Sequence, residues 1–167
     1  MAYLTLEQKQ EELEALVDFL EDIDIAAEVM DAPEEEDDKL ILVEFPGGDG
    51  PAKTPEELER VLVGRIMQTP DEDEVYTKYL LLYTQVAVDV ADKDELAVLR
   101  LVNDLNRTAL VGSFFYSKEA LDDECKIQYK VMIPSADDVP FDEGVVGETI
   151  INCGIMYDEA KEAFEKL

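Results

Sequence analysis

The chain has 167 residues, 47% of them apolar, and carries 42 Asp and Glu against 14 Lys and Arg, a formal net charge of −28, with no histidine. That length and apolar content suffice for a real core, so a single α+β domain over residues 1–167 is expected instead of a disordered acidic polymer. The charge argues against direct binding of nucleic acid or an anionic membrane, because carboxylates repel phosphates, and the missing imidazole excludes Ser-His and Cys-His nucleophiles.

Three readings of the acid excess stand: a solvated, self-repelling coat, selection of basic partner segments, or adaptation to a salty medium. The segment MAYLTLEQKQEELEA shows neither a basic stretch followed by an apolar one nor a cleavage site. No apolar run nears the ~18 residues of a membrane helix, and the expectation is a cytoplasmic protein. Cys125 and Cys153 are too few for a disulfide framework, sit in apolar patterns, and read as buried thiols.

Thr5 and Gln8 have capping-box spacing, and Leu13, Leu16, Val17, Leu20 and Ile23 recur at helical intervals, predicting an amphipathic helix over about 5 to 22. A short strand around Ile25 to Met30, an acidic hairpin loop at Glu34 to Asp38, and a strand over residues 40 to 45 follow. Thr54 to Glu57 reads as a helix start, with one helical turn giving way to a strand in Val61 to Met67. Asp71 to Glu74 supplies a turn, and Val75 to Val90 predicts a long, bulged central strand.

Asp92 with Glu95 caps a predicted helix to about Thr108, whose stripe is Val98, Leu101, Val102, Leu105 and Ala109. Leu96 and Leu99 widen it, which predicts a helix packed on more than one side. Strands are expected at Val111 to Tyr116 and Lys126 to Ile133, then a polar loop from Ser135 to Asp142. A terminal helix carries Val146, Ile150, Cys153, Tyr157, Ala160 and Phe164 on one stripe. Strands and helices in blocks, in the order α-βββ-α-ββ-α, predict an antiparallel sheet of about five or six strands with three main helices on a face.

Chemistry finds little support. GGDGPAKT, residues 47 to 54, sits where a phosphate loop would, but Ala52 replaces its second glycine and Pro51 removes a backbone donor. Glu56 and Glu57 then place negative charge where a phosphate would sit. None of the acidic runs Glu34 to Asp38, Asp71 to Glu74 and Asp122 to Glu124 alternates ligands around a glycine hinge as a calcium loop does. Carboxylate pairs occur by chance among 42 acids. No catalytic, cofactor or metal residue is therefore expected.

The informative constellation is Tyr79, Leu81 and Tyr83 on one face of the long strand, with Leu80, Leu82, Val86 and Val88 on the other. One face takes the helices. The first trio is the candidate partner-binding surface, the alternative being that both faces are covered within the chain.

Residues 99 to 117, LRLVNDLNRTALVGSFFYS, place Asn103 and Asn106 near the end of a helix that runs into a strand at Val111 to Tyr116. This segment resembles the bacterial YbjN-like proteins, whose fold is similar to that of type III secretion chaperones. The resemblance extends in element order over roughly residues 5 to 167. It implies an α+β sandwich that commonly dimerises, has no catalytic site, and works in binding or regulation. The resulting expectation is a non-enzymatic protein-binding module, chaperone-like and homodimeric, with an apolar surface inside an acidic rim and a protein partner that offers basic segments. Two other expectations stand beside it, an acidic regulator mimicking nucleic acid and a small carboxylate- or calcium-dependent enzyme.

Overall fold

The computed structural model describes residues 3–45, 60–68, 77–118 and 125–167. The loop at residues 47 to 54, the helix start at Thr54 to Glu57, and the acidic runs at Asp71 to Glu74 and Asp122 to Glu124 lie outside the described residues. The elements are α1 (Leu6–Asp22), β1 (Ala27–Asp31), β2 (Lys39–Glu44), β3 (Val61–Gln68), β4 (Thr77–Val86), α2 (Glu95–Thr108), β5 (Ser113–Lys118), β6 (Cys125–Ala136) and α3 (Glu143–Glu165). The block order expected from the sequence holds, with four strands in the first block. All neighbours in the six-stranded sheet β1-β2-β3-β4-β6-β5 are antiparallel.

Local chemistry sets the helix ends. Thr5 Oγ1 accepts from the Gln8 amide at 3.2 Å, and Gln8 Oε1 accepts from the Thr5 amide at 2.9 Å, closing the expected capping box. At the other end of α1, Asp24 adopts φ 62°, and the amides of Asp24 and Ile25 donate to the carbonyls of Glu21 and Leu20. This Schellman arrangement turns the chain sharply and tucks Ile25 into the core. α3 starts at Asp142, whose carboxylate accepts from the Val145 amide at 3.0 Å.

The core lies between one face of the sheet and the three helices. Leu13, Leu16 and Leu20 of α1 share one buried cluster with Ile41, Val43, Leu62, Ile66, Leu80 and Leu82, and the whole predicted stripe of α3 is buried. Gly147 lets α1 approach α3, since a Cβ there would stand 3.0 Å from Phe19 Cε1 and 3.1 Å from Ile23 Cδ1. No described helix is long and apolar enough to cross a membrane.

Four expectations change. β4 ends at Val86 instead of Val90 and pairs with β6 without interruption from Thr77 to Val86, so the central strand stops earlier than expected and is unbulged in its described part. α2 is capped by Asp94, which accepts from the Ala97 amide at 2.9 Å, and not by Asp92. The turn closed by the Lys93 amide on the Val90 carbonyl uses up Asp92 before the helix begins. α2 also packs on one side only, leaving Leu96 and Leu99 exposed, because β5 and α3 reach just the Val98 and Val102 face. β5 begins two residues later than expected, after Gly112, whose φ of 72° breaks the strand conformation.

One buried pair gives the fold a pH dependence. Tyr129 and Cys153 are buried side by side, and the Tyr129 hydroxyl donates to the Val111 carbonyl. Burial is the main cause that pushes the Cys153 thiol from 9.0 up to about 11, and it raises the Tyr129 phenol as well. The unfolded chain releases the thiol proton first, so this stabilisation is complete below pH 9.0 and is lost as pH rises toward about 11. The loss expected from Cys153 is roughly 2 to 3 kcal/mol. Thermal unfolding midpoints should therefore fall through that interval, and Cys153→Ala should flatten the slope, leaving the Tyr129 contribution. A midpoint indifferent to pH in the wild-type chain would contradict the burial of this pair.

Candidate protein-binding face

Alternation along β4 assigns its side chains to two environments. Lys78, Leu80, Leu82, Thr84 and Val86 point under the helices and are buried, whereas Tyr79, Leu81 and Tyr83 point to the opposite, open face. The sequence placed the three on one side correctly. Val88 lies beyond the strand end but still packs against the core.

The register builds two cross-strand rows around the trio. One runs Glu28, Leu42, Val63, Tyr83, Lys130, Ser113 across all six strands. The next runs Met30, Leu40, Arg65, Leu81, Met132 from β1 to β6. Tyr79 lies beyond them, between Met67 and Pro134. Tyr83 keeps 39% of its surface exposed and Met132 44%, so this apolar band faces outward and is not a second core. No described helix covers it.

Charge is distributed unevenly. Among the described strand positions on the open face the acids are Glu28 and Glu44, and the bases are Arg65, Lys126 and Lys130. In a chain with three acids to each base, this face is where the carboxylates thin out. Arg65 Nη1 pairs with Glu36 Oε2 of the β1–β2 hairpin at 3.0 Å, and Lys9 Nζ with Asp38 Oδ1 at 2.7 Å. Arg65, Lys9 and Asp38 line a cleft of about 490 Å³ whose apolar wall includes Met67, Leu81 and Tyr83. A second cavity, of about 310 Å³, opens on the same face over Leu42 and is flanked by Glu28, Glu44 and Val61.

The helical side holds polar groups too, and they serve the fold. Lys78 Nζ donates to Glu12 Oε1 of α1 at 2.6 Å and lies 5.2 Å from the centre of the Phe141 ring. Gln68, which pairs with Lys78 across the strands, accepts from the Leu4 amide at 2.8 Å and donates to the Asp137 carboxylate. Asn106, one of the two asparagines singled out in the sequence, donates to the Phe114 carbonyl at 2.9 Å and accepts from the Phe114 amide at 2.7 Å. Its amide side chain thus occupies a backbone position on edge strand β5 that another chain would otherwise pair with. Asn103 is exposed. Among the described residues no group of three or more Cys, Asp or Glu side chains is placed to hold a metal ion.

Arg65, Lys130, Met67 and Met132 belong to the face but were not among its expected residues. The alternation Lys126, Gln128, Lys130, Met132 against Ile127, Tyr129, Val131, Ile133 does place them outward. What alternation lacks is the pairing of β6 beside β4, and that pairing brings Lys130 next to Tyr83.

No family model and no curated protein matches the sequence. Among solved structures the chain is similar to the crystal structure of YbjN from E. coli, at 13% identity and a TM-score of 0.46, over 90% of this chain and 92% of that one. The likeness is one of fold alone.

Proposed function

We propose that this chain is a non-enzymatic protein-binding module, chaperone-like or regulatory in role, that docks partner proteins on the open face of its sheet. The observation that carries this reading is the outward band of Tyr79, Leu81 and Tyr83 with Met67 and Met132, on a chain of net charge −28. Covering apolar surface yields roughly 25 cal/mol per Å², and extended apolar patches on otherwise polar molecules mark interaction sites. We read Glu28 and Glu44, which lie on the same face, as an acidic margin, Glu36 and Asp38 being already paired with Arg65 and Lys9. That margin would favour encounter with partners bearing basic segments, while the band supplies affinity. A nucleic-acid mimic would instead present rows of carboxylates, and this face offers two acids among three bases.

Recovery of partners from native extract tests the reading. The wild-type chain should retain specific proteins that a Leu81→Asp variant releases, at both low and high salt. Leu81 is outside the core, so the variant should keep wild-type circular dichroism. Equal recovery by a folded Leu81→Asp chain would overturn the proposal.

A further inference from the structure

Resting on that docking reading, we propose that the sulfurs of Met67 and Met132 form an oxidation switch on the open face: peroxide converts them to sulfoxides, which turns docking off, and reduction restores it. The described methionines fall into two groups. Met30, Met67 and Met132 keep 43%, 38% and 44% of their surface exposed, whereas Met156 keeps 4%. All three exposed ones stand on the open face. Two of them adjoin the trio, Met67 pairing across the strands with Tyr79 and Met132 with Leu81. Side chains directly opposite in an antiparallel pair have Cβ atoms about 4.5 to 5.5 Å apart, so each thioether borders the apolar surface that a partner would cover. Met30 stands apart, with Leu40 and Arg65 between it and Leu81 in its row.

The chemistry of the thioether gives the two positions both roles. Reduced, it is apolar, polarisable and adaptable, and it makes favourable contacts with aromatic rings. Hydrogen peroxide, a two-electron oxidant, transfers one oxygen to the sulfur. An S–O bond forms, the O–O bond breaks, and the departing hydroxide takes the proton left on the transferred oxygen and becomes water. Sulfur is oxidised by two electrons and peroxide is reduced by two. The product carries a polar S=O group that must be stripped of water whenever a partner covers it. Two thiols of a sulfoxide reductase reverse the step, becoming a disulfide and releasing water, with one enzyme for each sulfoxide epimer.

Cys153 does not compete for the oxidant. It is 1% exposed, and burial pushes its thiol up to about 11, so the thiolate that peroxide attacks is scarce at neutral pH. Oxidation therefore adds polar groups where the band meets its partner and leaves the core sulfurs of Cys153 and Met156 intact.

Treatment of the full chain with hydrogen peroxide tests this directly. Peptide mass analysis should show Met67 and Met132 each gaining one oxygen about tenfold faster than Met156, with circular dichroism unchanged. Dithiothreitol added after the peroxide is quenched undoes reversible thiol oxidation and leaves the sulfoxides. Recovery of the partners that Leu81→Asp releases should then fall about tenfold or more, and should return after treatment with both sulfoxide reductases. The double variant Met67→Leu, Met132→Leu keeps apolar volume at both positions, so it should recover partners as the wild type does and be indifferent to peroxide. Met30→Leu should protect nothing. Met156 oxidised as fast as the other two, equal recovery before and after oxidation, or a double variant as sensitive to peroxide as the wild type overturns the switch. Recovery still sensitive to Leu81→Asp in those cases would leave the docking reading standing, while insensitivity to Leu81→Asp would remove both.

Discussion

Replacing Lys78 with methionine should cost the fold about 3 kcal/mol, and replacing its partner Glu12 with leucine should cost more, about 4 to 5 kcal/mol. The order follows from burial. The Lys78 side chain is 1% exposed, whereas that of Glu12 is 21% exposed. Methionine keeps the volume of the lysine stem and leaves Glu12 with a route to water. Leucine at position 12 strands an ammonium deep under α1, beside the Phe141 ring at 5.2 Å. Among the described residues the buried Glu12 Oε2 has no hydrogen-bond partner, so the pair is imperfectly satisfied even when intact. The double variant Glu12→Leu, Lys78→Met should therefore recover most of the loss, since an apolar pair carries no desolvation cost. Urea unfolding of the four chains measures the coupling. Additive costs in the double variant would show that the two groups do not stabilise each other.

That pair also marks where sequence reading reaches its limit. Alternation along β4 puts Lys78 on the same side as Leu80 and Leu82, so a buried lysine was readable in principle. Its partner lies 66 residues away, and no local pattern picks one carboxylate from 42. Features that depend on spacing within one element came through: the Thr5 and Gln8 box, the α3 stripe, and the division of Tyr79, Leu81 and Tyr83 from their neighbours.

Features that depend on which strand lies beside which did not come through. Lys130 becomes part of the candidate face only because β6 crosses back to pair with β4, leaving β5 on the edge. Leu96 and Leu99 misled for a related reason: apolar content on a helix reports what could be buried, and the topology supplies too few neighbours to bury it. In the sequence Asn106 is legible only as a residue near a helix end. Its helix does end two residues later, but the side chain is committed to Phe114, a contact that exists only once β5 folds back.

That return depends on Gly112, and Gly112→Ala should destabilise the chain by about 2 to 3 kcal/mol, a large penalty for one methyl group. Two effects combine. The residue holds φ 72°, where an L side chain is strained, and an added Cβ would stand 2.7 Å from the Lys130 carbonyl and 2.7 Å from the Tyr129 hydroxyl. The carbonyl belongs to the backbone of β6, paired on both sides, so it cannot move away cheaply. The turn must shift instead, and β5 with it. The Asn106 amide and the Tyr129 hydrogen bond to Val111 both hang on that turn, so local exchange of β5 amides should accelerate beyond the global change. With Asn106 displaced from Phe114, edge backbone groups become available to other chains, and the variant should aggregate more readily. Urea midpoints and native-state amide exchange together check this. A variant with wild-type stability and unchanged β5 protection would mean that the turn has room the geometry denies.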